Sequence, residues 1–396
     1  MKARATLLLT ARGLRAFGDG FTALLIPVYL SGLGADALQI GVFTTVTLIG
    51  SAALTRGVGF VAHRLDPRHL LLGAALLMAA TGFLFAAAQE FWPLVLVGLV
   101  GTLNPSAGDV SLFLPLEQSL LAQTARDDRR TALFARYSLV GAVVGALGAL
   151  AAAAPDVTHQ MFGWRADDAI RAMFVLYGLI GLLNFAVYRR LSVEAPTLAT
   201  SPTPLGPSRS IVIRLAALFS LDSFGGGFLV QSLLALWLFQ QFGLSLTTAA
   251  AFFFWSGLFS AASFLVAPAL ARRIGLINTM VFTHIPSSVC LLLVPFAPNL
   301  PVVMGLLLVR AALSQLDVPA RSSYVMAVVT PPERAAAASF TAVPRSLAAA
   351  ASPALAGWLM TMSAFAWPLV IGGALKIVYD LLLLAQFGKI KPPEER

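Results

Sequence analysis

An all-α polytopic membrane fold, with twelve transmembrane helices in two pseudo-symmetric six-helix bundles, is what this sequence predicts on three observations. The first is composition. Of 396 residues, 58% are hydrophobic and only 11% are charged, and mean hydropathy is +0.83. A soluble domain carries about 25% charged residues to cover its surface, so a bilayer is the expected solvent. The second is run length, because the apolar runs are long enough for about twelve crossings at roughly 20 to 25 residues each. The third is an internal repeat. Phe17-Gly-Asp-Gly-Phe21 returns 207 positions later as Phe224-Gly-Gly-Gly-Phe228. Asp109-Val110 returns after 208 as Asp317-Val318, and Arg136 after 209 as Arg345. The short basic stretch from Gly59 to Arg64 returns after 209 as Pro268 to Arg273. Several matches in one register imply two parallel halves related by an axis along the membrane normal.

Helices that are apolar all round show no periodicity, so charge, Pro and Gly set their limits. The expected spans are 5–31, 37–61, 68–88, 92–122, 131–154 and 168–188, then 211–240, 246–270, 276–297, 301–329, 335–361 and 364–387. The domains follow: an N-terminal bundle over 1–190, a linker over 191–210 containing Ser-Pro-Thr-Pro-Leu-Gly-Pro-Ser, and a C-terminal bundle over 211–396. One set of loops collects Lys2, Arg4, Arg64, Arg68, Arg126, Arg129, Arg130, Arg189, Arg190, Arg272, Arg273, Arg334, Lys389 and Lys391. The other set holds Arg165 and Arg171 among Asp156, Asp167 and Asp168. Basic loops stay inside, so both termini are expected in the cytoplasm and the chain in the cytoplasmic membrane. The first apolar run continues without an Ala-x-Ala boundary, so a cleavable leader is not expected.

The same composition excludes other classes. The net charge of +9 resides in short loops and forms no basic stripe, so nucleic acid is not an expected partner. The one cysteine, Cys290, excludes an intrachain disulfide and offers no pair for a metal. The sequence carries no His-rich cluster, phosphate-cradling loop or paired loop carboxylates, so it gives no sign of an enzyme or of a cofactor.

Charged residues inside apolar runs are the informative exceptions. Arg310, Asp317 and Arg321 fall within one run, and each charge costs about 2.5–3.5 kcal/mol at a helix centre. Asp317 and Arg321 share a helix face, as do Arg15 with Asp19 and Lys376 with Asp380. Such pairs can neutralise one another within a helix, the structural reading favoured for Lys376 and Asp380. Arg310 has no acidic residue three or four positions away and needs a partner from elsewhere. Asp222 has no opposite charge within four residues, which leaves it for a proton or for Arg310. His284 reads as a satisfied helix-face residue, since no second His or Cys lies near it.

Two six-helix halves, a mid-chain linker and a basic signature between helices 2 and 3 resemble the major facilitator superfamily over nearly the whole chain. The family's loop motif, Gly-x-Leu-Ala-Asp-Arg-x-Gly-Arg, matches Gly59, Ala62, Arg64 and Arg68, and again Ala271, Arg273 and Gly275. Its acidic position is His63 in one copy and Arg272 in the other, so Asp66 is the candidate substitute in the cytoplasmic latch. The drug-exporter signature is incomplete: Thr102 stands where Arg310 has its repeat partner, and helix 5 has Gly141, Gly145 and Gly148 without the proline.

The resemblance implies a secondary transporter whose cavity is lined by helices 1, 4, 7 and 10. Each of these carries an aspartate, namely Asp19, Asp109, Asp222 and Asp317. Carboxylates in an alternately hydrated cavity can couple proton loading to conformational change. Asp19, Asp109, Asp222, Arg310, Asp317 and Arg15 are therefore the expected substrate or proton residues. Arg64, Asp66, Glu117, Arg136, Arg273, Arg321 and Arg345 are the expected gate residues. The expected activity is alternating-access, proton-coupled export of a small organic solute by a monomer. The alternative is uniport or exchange of an organic anion on Arg310 and Arg15, and a remote alternative is a polytopic membrane enzyme or receptor.

Overall fold

In a computed structural model the described residues are 2–61, 66–106, 111–122, 127–191, 205–330 and 333–390. Arg64, Asp109 and most of the expected linker lie outside them. The described secondary structure is helical: α1 (Lys2–Gly32), α2 (Ala37–Val61), α3 (Pro67–Ala87), α4 (Phe91–Val100), α5 (Phe113–Ala122), α6 (Asp127–Ala151), α7 (Ala154–Phe162), α8 (Ala166–Tyr188), α9 (Arg209–Gly227), α10 (Gln231–Phe242), α11 (Leu246–Ile274), α12 (Leu276–Leu293), α13 (Leu300–Ser314), α14 (Asp317–Val328), α15 (Arg334–Met362) and α16 (Trp367–Phe387). Among the described residues nine spans are long and apolar enough to cross a membrane. The other three expected crossings are α1 and α15, which carry internal charge, and the interrupted run α4–α5.

Local chemistry sets the ends. Asp36 accepts from the Gln39 backbone at 2.7 Å while the Gln39 side chain accepts from the Asp36 N–H at 2.9 Å, a reciprocal cap before α2. Asp66 caps α3 by accepting from the Arg68 N–H at 2.8 Å, with Pro67 at the first helical position. Asn299 caps α13 in the same way through the Val302 N–H at 3.1 Å. Gly163 and Gly243 end α7 and α10 at φ 68° and 59°, the left-handed region glycine tolerates.

Three runs expected as single helices are each two. The run 92–122 breaks between α4 and α5, where Gly101, Asn104 and Pro105 intervene. Asn104 Oδ1 there accepts from the Ser106 N–H at 3.2 Å and hydroxyl at 2.7 Å, which turns the chain. The run 211–240 breaks after Gly225-Gly226-Gly227, and 301–329 breaks at Gln315–Leu316. These are helices 4, 7 and 10 in crossing order. Apolar run length carries no record of such interruptions, because the backbone groups they free are satisfied by neighbouring protein.

The chain forms two compact units: residues 1–199 with 230–257, and 200–229 with 258–396. In the first, Tyr29, Phe43, Phe85 and Phe174 form a buried aromatic core, with Phe85 and Phe174 centroids 4.6 Å apart. In the second, Leu215, Phe219, Met280, Tyr324, Tyr379 and Phe387 belong to a buried apolar core. Large apolar side chains such as Trp92, Leu96, Leu183, Leu265 and Phe282 are exposed, as expected where lipid replaces water.

Small residues bring helices together without a hydrophobic force. A Cβ on Gly148 of α6 would strike the Phe17 carbonyl of α1, and one on Gly20 would strike the Gly145 carbonyl. Backbone cannot rotate aside as a side chain can. Gly148→Ala is therefore expected to destabilise by about 1–3 kcal/mol, reduced by the roughly 1 kcal/mol helix preference of Ala. Gly73→Ala in α3, whose Cβ would meet nothing within 4 Å, is expected to be neutral or stabilising. Thermal unfolding of the two purified variants beside the parent checks the contrast.

Candidate functional site

In the first unit a buried cluster is built around Glu117 of α5. Arg15 of α1 donates to Glu117 Oε2 in a direct ion pair. Tyr137 of α6 donates to the same oxygen at 2.5 Å, and Tyr188 of α8 donates to Oε1 at 2.6 Å. The Arg15 guanidinium lies 4.3 Å above the Phe113 ring and that of Arg12 lies 5.2 Å from the Tyr137 ring. One carboxylate thus joins four helices. The expected Arg15–Asp19 neutralisation does not form: Arg15 turns to Glu117, because a carboxylate with two tyrosine donors already in place offers a better-organised partner.

Asp19 itself is only partly buried. Its carboxylate accepts no hydrogen bond and closes no ion pair among the described residues, although Arg15 and Arg12 act on it electrostatically. Tyr177, which Asp19 acts on electrostatically, donates to the Thr102 carbonyl at 3.0 Å and lies 3.1 Å from its hydroxyl. These contacts hold the start of the α4–α5 break against α8.

The second unit holds a larger network. Asp222 of α9 accepts from Arg321 of α14 at 2.8 Å on Oδ2 and from Lys376 of α16 at 2.7 Å on Oδ1. Arg321 also pairs directly with Asp317, as the i,i+4 spacing predicts. Asp317 sits in the first turn of α14, where the helix dipole favours an acid. His284 of α12 places Nδ1 3.0 and 3.1 Å from the two oxygens of Asp380, and Nε2 3.4 Å from the Lys376 ammonium. The expected Lys376–Asp380 pair is replaced by two interhelical contacts, and Asp222 pairs with Arg321 and Lys376 rather than Arg310. The α9 helix thereby connects to α14 and α16 through one carboxylate.

The two clusters occupy matching places in the repeat with opposite polarity. Arg15 and Asp222 stand 207 positions apart, the same spacing as Phe17 and Phe224. The cation is on the earlier helix in one half and on the later helix in the other.

Other expected site residues are dispersed. Arg310 of α13 is partly buried, and its Nε lacks a hydrogen-bond partner. Arg345 of α15 donates from Nε to the Ser223 hydroxyl at 3.2 Å. Arg136 and Arg273 are exposed. Asp66 is the α3 cap already described. The clusters also hold Tyr137, Tyr188, His284, Lys376 and Asp380, which the expected site set lacks. The signal that could have found them is their cost: each is a polar group inside an apolar span and implies a partner across helices.

Outside the spans, Glu333 ties the segment before α9 to the start of α15. It accepts from the Gly206 N–H, from the Thr330 hydroxyl at 2.6 Å and from the Ser208 N–H at 3.3 Å. Hydrogen bonds from the Ser208 and Thr330 side chains, then from the Gly206 backbone, hold its carboxyl down from 4.5 to about 2. Its folded value lies below its unfolded one, so the stabilisation is present above about pH 4.5 and is lost as pH falls toward 2. The melting-temperature difference between the parent and Glu333→Gln is therefore expected to shrink over that interval. A difference that stays constant across it would show that these hydrogen bonds to Glu333 do not stabilise the fold.

Comparisons with known proteins agree with this architecture. The sequence model of the Major Facilitator Superfamily matches residues 8–313. An uncharacterized membrane protein of Saccharomyces cerevisiae, YJR124C, is 22% identical over 410 aligned positions, covering 94% of this chain and 92% of the yeast protein. The crystal structure of the nucleoside transporter NupG superposes with TM-score 0.75 at 16% identity, covering 99% of this chain and 100% of that one. A bacterial homolog of the human lysosomal transporter Spinster, inward-facing and unoccupied, superposes with TM-score 0.71 at 13% identity, covering 96% and 95%. With a family match over most of its length and a helical architecture shared with solved transporters, the chain belongs to the Major Facilitator Superfamily and is a multi-pass membrane transporter.

Proposed function

We propose that this transporter moves a small organic solute by alternating access coupled to protons, with Asp19 as a proton carrier. The observation that carries the reading is the Asp19 carboxylate, which stands on α1 without a hydrogen bond or ion pair among the described residues, while Arg15 one turn away is committed to Glu117. A lone carboxylate in a bilayer is costly as an anion and cheap as an acid, so proton binding accompanies its removal from water. Asp222, by contrast, has two cations and serves as a brace. In this reading both termini are cytoplasmic, which the distribution of basic loops supports, and export in exchange for protons is the direction the family resemblance supports.

The test is solute flux in proteoliposomes, using the compound that gives the largest thermal shift in a panel of organic solutes. Flux is expected to follow an imposed pH gradient, and Asp19→Asn is expected to retain exchange while losing the response. Flux that ignores the gradient in the parent protein rejects the reading. A second reading, carriage of an organic anion, is supported by the unpartnered Nε of Arg310. In that case Arg310→Gln raises the KM for anionic solutes and leaves neutral ones unaffected.

A further inference from the structure

We propose that His284 is a second proton-binding site, and that its protonation exchanges the partners of Asp222. This inference rests on the proton-coupled reading but places a carrier on α12, away from Asp19. Asp380 is wholly buried and His284 nearly so. A carboxylate only accepts, so the Asp380 oxygens at 3.0 and 3.1 Å require the proton of a neutral imidazole to be on Nδ1. Nε2 is then an acceptor, and it faces the Lys376 ammonium at 3.4 Å, a group that only donates. Asp222 Oδ1 lies 3.7 Å from the same nitrogen.

Those contacts allow one state with neutral His284 and a different one with imidazolium. Once Nε2 gains a proton from water it no longer accepts from Lys376, and the two cations repel. The new Nε2–H finds its acceptor in Asp222 Oδ1, the oxygen Lys376 now holds at 2.7 Å. Lys376 is displaced, and the link from α9 to α16 passes to α12. Release of the proton to water reverses the exchange.

In direct contact, Asp222, Asp317 and Asp380 meet Arg321, Lys376 and His284, and Arg345 acts electrostatically on Asp222 and Asp317 from further away. Among the other groups around α12, Tyr379 meets the His284 ring edge-on with centroids 6.0 Å apart and its hydroxyl lacks a hydrogen-bond partner. Arg310 of α13 lies on the Cys290 side of α12. Arg345 of α15 donates to the Ser223 hydroxyl and acts electrostatically on Asp222 and Asp317 without a direct ion pair to either.

Nitrogen-15 NMR of the full-length protein in nanodiscs, labelled at histidine and assigned by comparison with His284→Gln, uses the proton itself as the probe. Over a pH series, the expected result is a neutral ring protonated on Nδ1 that becomes imidazolium at Nε2. Lys376→Met, which removes the competing cation, is expected to move that transition to higher pH. A ring that keeps one protonation state throughout, or a neutral form protonated on Nε2, overturns the proposal. If His284→Gln does not fold, omitting the other three histidines assigns the signal instead. The outcomes separate cleanly: pH-independent flux rejects the coupled reading, whereas coupled flux with a silent His284 rejects only this site.

Discussion

Asp222→Ala is expected to destabilise the second unit by about 3–5 kcal/mol, the range for removing one partner of a buried ion pair. The geometry says which orphan causes the loss. Arg321 keeps Asp317 as a partner, but Lys376 is left facing only the His284 ring nitrogen. A double variant, Asp222→Ala with Lys376→Met, is therefore expected to recover most of the loss, since the remaining pairs Arg321–Asp317 and His284–Asp380 are each complete. Thermal unfolding in detergent, run as a double-mutant cycle, measures the coupling. If the double variant melts no higher than Asp222→Ala, the charge of Lys376 is not what Asp222 neutralises.

The second large effect is expected at Glu117. Its replacement by Ala strands Arg15 together with the Tyr137 and Tyr188 hydroxyls, all inside one unit. Losing the ion pair costs about 3–5 kcal/mol, and each orphaned buried hydroxyl adds about 1–3 kcal/mol unless it turns to another acceptor. Glu117→Gln keeps an acceptor for one tyrosine while losing the charge, so it is expected to fall between Ala and the parent. Adding Arg15→Met to Glu117→Gln removes the stranded cation and raises stability again. The measured quantities are the melting temperature and the monodisperse fraction after extraction. Equal melting temperatures for Ala and Gln would show that the hydroxyl contacts contribute nothing.

Particular residues show how much of this was legible in the chain. Asp317 and Arg321 were readable as a pair, because four residues on a helix put both on one face and the structure joins them. Arg15–Asp19 and Lys376–Asp380 have the same spacing and do not pair. Spacing shows which side chains can meet within a helix, but it is silent about better partners on other helices. Glu117 outcompetes Asp19 for Arg15 because it arrives with two tyrosines, and those come from α6 and α8. His284 read as a satisfied face residue, and it is satisfied; that its partners are Asp380 and Lys376 could not be read from local sequence.

By itself the sequence determined the solvent, the helical class and the twofold repeat, since each follows from properties that survive without coordinates: too few charges for water, runs of membrane length and motifs at constant spacing. It also marked which helices carry costly polar groups. Only the tertiary structure decided where the crossings break and which charge meets which. Hydrogen bonds freed at a break and charges buried in a bilayer are both satisfied across helices, so their partners are set by packing between segments far apart in the chain.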